Sequence, residues 1–204
     1  ERADYMLGRL EITLENTGGR RLNHNISSLF QGVMMESIDK EYAEILHYNG
    51  LKPYSQNIEF EPERIKWVIN TLDKEAKDGI INPLLNNLES VTLKQKKTTL
   101  KVIEKNVSIK SYDQLLNEKY FTDGSSYINL QIVTPTAFKS QGEYMFYPDL
   151  RLIYQSLMNK FDNCSIDTAI YSEEVLEHLN DNSRIRRYQL KSTTFHLEGT
   201  KIPS

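Results

Sequence analysis

Polar and apolar positions alternate in the first ordered-looking stretch of the chain. In residues 8–15, GRLEITLE, the apolar Leu10, Ile12 and Leu14 fall on one side of a period of two, which predicts a half-buried strand. A loop over residues 16–25 follows, with Gly18-Gly19 and Arg20-Arg21. The period then changes. Leu29, Phe30, Val33, Met34, Ile38, Tyr42, Ile45 and Leu46 recur at helical spacing and predict one amphipathic helix. Ser27 or Ser28 can cap its start, with Gln31 near the reciprocal capping position. Asn49-Gly50 can end it, because both residues tolerate the left-handed conformation. Residues 54–60 and 65–72 read as two strands around a turn at Pro62. Residues 73–88 read as a second helix, kinked or restarted at Pro83. Residues 91–93 and 100–109 read as strands, and 111–118 as a short helix.

The order strand, helix, strand, strand, helix, strand is the split βαβ arrangement of a ferredoxin-like domain, expected over residues 1–122. Asp123-Gly124-Ser125 marks the boundary. A similar order then begins over residues 123–204. It comprises a strand at 127–134 ended by Pro135, the loop AFKSQGEYMFYP, a helix over 149–161 starting after Pro148, a helix over 172–179 and a long strand or hairpin over 185–197. In the first of these helices Leu150, Ile153, Tyr154, Leu157 and Met158 are expected to face inward. The expectation is an α+β chain of tandem ferredoxin-like domains, the second incomplete.

Composition narrows the class without naming it. The 204 residues are 39% hydrophobic and 26% charged, an ordinary globular balance. No apolar run reaches the roughly 18–20 residues that span a bilayer, so no membrane partner is expected. No secretory pattern opens the chain. Cys164 is the only cysteine, which excludes an internal disulfide and a zinc site built on cysteine, and fits a reducing cytoplasm. The formal net charge of −3 does not announce a polyanion partner. The placement of charge does: residues 91–110 hold Lys94, Lys96, Lys97, Lys101, Lys105 and Lys110 against Glu104, and residues 183–191 hold Arg184, Arg186, Arg187 and Lys191 with no acid. Such asymmetry can build a positive groove on a slightly negative protein.

The candidate chemistry centres on His47, at the C-terminal end of the first predicted helix. Lys52, Tyr54 and Ser55 follow at once. An imidazole beside a cation and two hydroxyls suits proton transfer near an anionic substrate. His24, His178 and His196 lie too far apart in the chain to suggest a shared metal site, and no metal or cofactor is expected. In the basic run, alternation would put Arg184 and Arg186 on one strand face and Arg187 and Lys191 on the other. Arginine pairs phosphates bidentately and stacks on bases. Lys139, beside Gln141 and Gly142, is a further candidate phosphate contact.

Two segments, LFQGVM…ILHYNGLKPYS and VTPTAFKSQGEYMFYPDLRLIYQSL, in this order and at this separation, resemble the CRISPR-associated repeat-RNA endoribonucleases of the RAMP superfamily. That resemblance runs from about Leu10 to the end of the chain. It implies two RRM-related ferredoxin-like domains and metal-independent cleavage of CRISPR precursor RNA within its repeats. The substrate 2′-hydroxyl would be the nucleophile, and a 2′,3′-cyclic phosphate and a 5′-hydroxyl the products. It places His47 as the acid/base residue. Lys52 would then stabilise the phosphorane charge, with Tyr54 or Ser55 orienting a phosphate oxygen. Repeat RNA is the implied partner, with CRISPR effector subunits and a homodimer as further possible ones. Two features depart from the family pattern. Gln31-Gly32 is followed by Val33, Met34 and Met35, so the tyrosine that some members carry there is absent. No glycine-rich loop follows Gly199, which suggests that a few tens of residues are missing. These departures motivate the alternative of a non-catalytic RAMP subunit that holds repeat RNA within an effector complex.

Overall fold

A computed structural model gives the fold. It describes residues 6–16, 22, 26–48, 50–119, 126–132, 136, 138–140, 142–145, 147–165, 169–191, 194–197 and 200–203. The chain divides into two compact units, residues 1–128 and 129–204, each treated by itself below.

The first unit is built on β1 (Met6–Glu15), β2 (Tyr54–Phe60), β3 (Arg64–Thr71), β4 (Ser90–Leu93) and β5 (Thr98–Ser111). They form one sheet in the order β2-β3-β1-β5-β4, with every neighbouring pair antiparallel. The first strand thus sits in the middle, as a ferredoxin-like order requires, and the β4–β5 hairpin adds a strand outside it. The alternation in β1 works as predicted: Leu10, Ile12 and Leu14 are fully buried and stand opposite Ile69, Trp67 and Ile65 of β3. Cross-strand partners share a face, so these side chains make one apolar surface. Phe30, Met34, Leu46, Ile80, Ile81 and Leu84 from the helices close the core over it. The Phe30 ring meets Trp67 edge-on, with centroids 5.0 Å apart.

The predicted first helix is two helices, α1 (Ser27–Glu36) and α2 (Lys40–Tyr48). Ser37 turns its hydroxyl back to the Val33 carbonyl at 2.7 Å, and Asp39 restarts the chain by accepting from the Tyr42 amide at 3.1 Å. Both residues offer the backbone an alternative to helical bonds. The break resets the helical phase. Leu46 is therefore buried while Ile45, expected inside, is 50% exposed. Nor does serine cap α1: its N-cap is Ile26 without a side-chain bond, and Gln31 reaches Tyr54 instead.

The second helix is interrupted as well. α3 (Lys74–Ala76) is capped by Asp73 and passes through a π-helical turn, Lys77–Ile81, into α4 (Asn82–Asn87). Asn82 donates to the Lys77 carbonyl, five residues back. Pro83 has no N–H to give Gly79, so a wider turn meets the expected restart. Gly79 matters for packing too, since a Cβ there would lie 2.5 Å from the Tyr42 ring. α5 (Tyr112–Lys119) leaves the sheet, its Tyr112 hydroxyl donating to the Leu72 carbonyl at 3.1 Å.

The second unit holds hairpins β6 (Phe138–Ser140) with β7 (Glu143–Met145) and β8 (Thr194–Leu197) with β9 (Thr200–Pro203), and helices α6 (Leu150–Cys164) and α7 (Glu173–Asp181). The first hairpin occupies much of the expected loop and turns at Gly142, whose φ of +90 favours glycine. Asp149 caps α6 and Ser172 caps α7. Met158, Cys164 and Leu176 are buried, but Leu157, expected to face inward, is 62% exposed.

Two strand expectations fail here. Residues 127–132 of the expected 127–134 strand carry no strand, and neither do residues 183–191. Among the described residues of the expected 185–197 strand, only its end, in β8, pairs. Alternation predicts a strand only where a neighbour completes the ladder, and among the described residues neither segment has one. The argument that Arg184 and Arg186 lie opposite Arg187 and Lys191 on a pleated strand therefore falls. Residues 133–135 and the boundary residues 120–125 lie outside the described set.

Candidate active site

α2 ends with Leu46 turned into the core, which leaves the next side chain, His47, exposed. Its ring lies edge-on to Tyr48, with centroids 6.1 Å apart and planes at 88°. The chain then doubles back so that Lys52 meets the end of the same helix. The Lys52 ammonium donates to the Leu46 carbonyl and, at 3.3 Å, to the His47 carbonyl. The last carbonyls of a helix lack partners within it, and the negative end of the helix dipole favours a cation there. Lys52 thus has a structural task, and that task fixes its charge beside the main chain of His47.

The two hydroxyl residues part company at β2. Tyr54 is buried, 6% exposed, on the helix-covered face. Its hydroxyl accepts a bond from Gln31 Nε2 at 3.2 Å. Burial pushes the Tyr54 phenol pKa up, while the Gln31 bond pulls the other way. Ser55 points to the opposite face, as pleating demands. There Asn70 donates to Ser55 Oγ at 3.4 Å and accepts from Arg9 at 3.3 Å, and Arg9 pairs with Glu11 at 2.6 Å. Hence Tyr54 and Ser55 cannot line the same side of the sheet. The structure groups His47 with Lys52, and Tyr54 with Gln31 on the helix side.

Position along α1 is set by polar bonds within the core layer. Trp67 Nε1 donates to Gln56 Oε1 at 2.8 Å, and Gln56 Nε2 donates to the Ser27 carbonyl at 3.2 Å. These bonds lock the start of α1 to β2. Gln31, expected near a capping position, bonds Tyr54 instead. The only hint was its spacing, which puts Gln31 one turn from Met34 on the sheet-facing side of α1. Lys105, one of the lysines of the basic run, is engaged within the fold: its ammonium donates to the Leu85 carbonyl at 2.7 Å. Desolvation lowers the Lys105 pKa, and the nearby Glu89 charge opposes that shift.

The remaining candidates lie in the second unit. Lys139 is in β6 opposite Tyr144, and its side chain is outside the described set. Arg184, Arg186, Arg187 and Lys191 are exposed on a segment without regular structure. Among the described residues, no three His, Cys, Asp or Glu side chains are grouped to hold a metal ion. No described helix is long and apolar enough to cross a membrane. His24 lies outside the described residues.

No family model matches the chain. Curated proteins do. The chain is 29% identical over 188 residues to the CRISPR-associated endoribonuclease Cas6 of Streptococcus thermophilus, covering 91% of this chain and 76% of that protein. It is 27% identical over 201 residues to Cas6 of Mycobacterium tuberculosis, covering 97% of this chain and 64% of that protein. Among solved structures, a Cas6 product complex matches with a TM-score of 0.75 at 19% identity, over 97% of this chain and 79% of the other. Thermus thermophilus Cas6 matches with a TM-score of 0.67 at 17% identity, over 100% and 81%. The sequence matches mark homology to Cas6, and the structural matches mark the shared fold.

Proposed function

We propose that this chain, a homologue of the Cas6 endoribonucleases of the RAMP superfamily, cleaves CRISPR precursor RNA within its repeats without a metal ion. Homology to Cas6 supports an RNA-cleaving enzyme. The observation that carries the finer reading is the end of α2, where an exposed imidazole and an anchored ammonium occupy one helix terminus.

RNA brings its own nucleophile, the 2′-hydroxyl beside the scissile phosphate. The protein must then move two protons and stabilise one extra negative charge. His47 takes the 2′-hydroxyl proton or gives one to the departing 5′-oxygen, the exchange an imidazole performs near neutral pH. Attack of O2′ on phosphorus and departure of O5′ leave a 2′,3′-cyclic phosphate and a 5′-hydroxyl. Lys52 supplies positive charge at the phosphorane while it holds the helix end. Tyr54, buried and bonded to Gln31, supports the position of α1 over β2 in this reading rather than touching the phosphate. Ser55 on the open sheet face, and Lys139, Arg184, Arg186, Arg187 and Lys191 in the second unit, are the proposed RNA contacts. The second unit is read as the partner domain of a tandem pair. Effector-complex subunits are further proposed partners.

Incubating end-labelled repeat RNA with the protein in excess EDTA tests this reading. Cleavage should persist, give cyclic-phosphate ends, and vanish when the nucleotide 5′ of the cut carries a 2′-deoxy sugar. Cleavage that requires added magnesium would overturn it. Tight binding without scission would favour the non-catalytic RAMP subunit, a reading motivated by Val33, Met34 and Met35 following Gln31-Gly32, where the family resemblance implies a tyrosine in some members.

A further inference from the structure

The helix that carries His47 meets the body of the first unit through few side chains. α2 begins afresh after the break at Ser37 and Asp39, so the buried Phe30 and Met34 of α1 do not fix it. Of its nine residues Leu46 is buried, and Tyr42 and Ala43 are half-buried. Tyr42 and Leu46 stand one turn apart on one face. Lys52 ties down the last carbonyls of α2, and these two large side chains set its rotation. Leu46 enters the core cluster. Tyr42 lies over Gly79, in the π-helical turn Lys77–Ile81. A Cβ at Gly79 would be 2.5, 2.6 and 3.1 Å from Cε1, Cδ1 and Cζ of the ring, so the ring comes this close only because the residue is glycine. The turn beneath is itself fixed. Ala76, Ile80, Ile81 and Leu84 are fully buried. Gly8 of β1 admits side chains of the turn, since a Cβ there would lie 2.5 Å from Ile81 Cδ1 and 3.1 Å from Lys77 Cγ. Toward solvent, Lys77 pairs with Asp78 at 2.6 Å, and Asn82 donates to the Asp78 carboxylate at 2.9 Å. Two glycines thus bring three layers into close approach: β1, the π turn and α2. Single π turns inside helices are rare and recur at functional sites.

We propose that Tyr42, seated on Gly79, is a positioning residue for cleavage: it sets the rotation of α2 and thereby the place of the His47 imidazole. This rests on the reading of His47 as the acid/base group. His47 is exposed and its ring meets Tyr48 of the same helix, so its place follows the backbone of α2. Tyr42 lies five residues earlier and acts through that backbone, without touching RNA. An imidazole that exchanges a proton with the 2′-hydroxyl or the 5′-oxygen must stand within about 2.6–3.2 Å of it. A misplacement of about 1 Å costs about 10²-fold in rate. If the ring leaves its seat, α2 pivots about Leu46, and His47, next in the chain, moves with it. Substrate affinity, which comes from contacts elsewhere, does not depend on that pivot.

A double-mutant cycle tests the seat. Gly79→Ala should push the ring aside and lower the single-turnover cleavage rate of repeat RNA at least about tenfold. Affinity for the same RNA should stay within about twofold of wild type. Tyr42→Leu empties the space over Gly79 and should also slow cleavage without weakening binding. Adding Gly79→Ala to Tyr42→Leu should then change the rate by less than about twofold, because the clash has no ring to act on. Tyr42→Phe keeps the ring and should stay near the wild-type rate. Amide hydrogen exchange reads the seat without cleavage. Each of the two damaging single changes should speed exchange in residues 42–47, while amides of β1 and β3 keep their protection and so report an intact fold. A wild-type chain that does not cleave overturns the acid/base reading of His47, and exchange then decides the seat by itself. Equal rate losses from Gly79→Ala in the two backgrounds would overturn the proposal. So would α2 exchange that the single changes leave unaltered, or a loss of affinity as large as the loss of rate. Where Gly79→Ala fails to fold, Tyr42→Leu and Tyr42→Phe carry the test, and equal rates for these two would overturn it.

Discussion

The two units use apolar residues differently. In the first, alternation in β1 and β3 meets helices that cover it, and Leu10, Ile12, Leu14, Trp67 and Ile69 are buried to within 1%. In the second, apolar residues of similar kind stay in the open: Leu130 is 68% exposed, Tyr188 77% and Leu190 47%. The difference is not one of side-chain type. A strand needs a ladder on at least one edge and a layer on at least one face, and the described part of the second unit gives these segments neither. His47 and Lys52 are mounted on the first unit, whose described apolar residues are packed in a continuous core.

The largest expected effect on stability breaks the first unit at its centre. Trp67→Ala removes the ring that Phe30 packs against and the donor that holds Gln56. It should cost about 3–5 kcal/mol, read from the denaturant midpoint. Leu157→Ala, at an exposed site in α6, should shift stability by no more than about 0.5 kcal/mol. Comparable losses for the two would end the contrast.

Two glycines sharpen the same contrast. At Gly8 a Cβ would lie 2.5 Å from Ile81 Cδ1 and 2.6 Å from Thr71 Oγ1, in packed core. Gly8→Ala should cost about 1–3 kcal/mol through overpacking. At Gly142 nothing lies within 4 Å, but φ is +90. Gly142→Ala there should cost about 1–2 kcal/mol through backbone conformation alone. Thermal melts of the two variants separate the mechanisms when each is paired with Asn. Asn tolerates positive φ and should rescue position 142 in part, while at position 8 it should be worse than alanine.

A smaller effect concerns the helix end. Lys52→Met keeps the stem and removes the charge that caps α2, so it should lower stability by about 0.3–1 kcal/mol. Under the proposed function it should also slow RNA cleavage well beyond what so small a change in folding explains. Equal, slight losses in both would make Lys52 a cap and nothing more.

The smallest effect appears only in alkali. Burial is the main cause that raises the Tyr54 pKa above 10.0. The folded state thus holds this proton more tightly than the unfolded one. The associated stability is fully present below the unfolded pKa and is lost as pH rises through the folded value. Melting midpoints should therefore fall above about pH 10, and Tyr54→Phe should flatten that fall. Parallel alkaline curves for the two proteins would show that Tyr54 ionisation is not coupled to folding.

Much of the first unit was legible in the sequence, because its strands carry a period of two and its helices bury one stripe each. What escaped depended on side chains acting on backbone. Ser37 and Asp39 broke a helix whose apolar spacing ran straight through them, and Pro83 acted through the donor it lacks. Residues 127–132 and 185–190 had strand-like composition, and composition cannot report a missing neighbour. The site divided in the same way. His47 and Lys52 were readable from their place at a helix end. The separation of Tyr54 from Ser55 follows from the pleat, and the bond from Gln31 to Tyr54 required the packing of α1 on β2.

The central claim is that His47 moves the proton in RNA cleavage. Single-turnover cleavage of repeat RNA by His47→Ala, beside its equilibrium binding of the same RNA, tests that claim most directly. Because the side chain is exposed, the variant should fold normally. Cleavage should fall about 10²–10⁴-fold, while affinity for the RNA stays near that of the wild type. Unchanged cleavage, or a loss of binding as large as the loss of rate, would contradict the account.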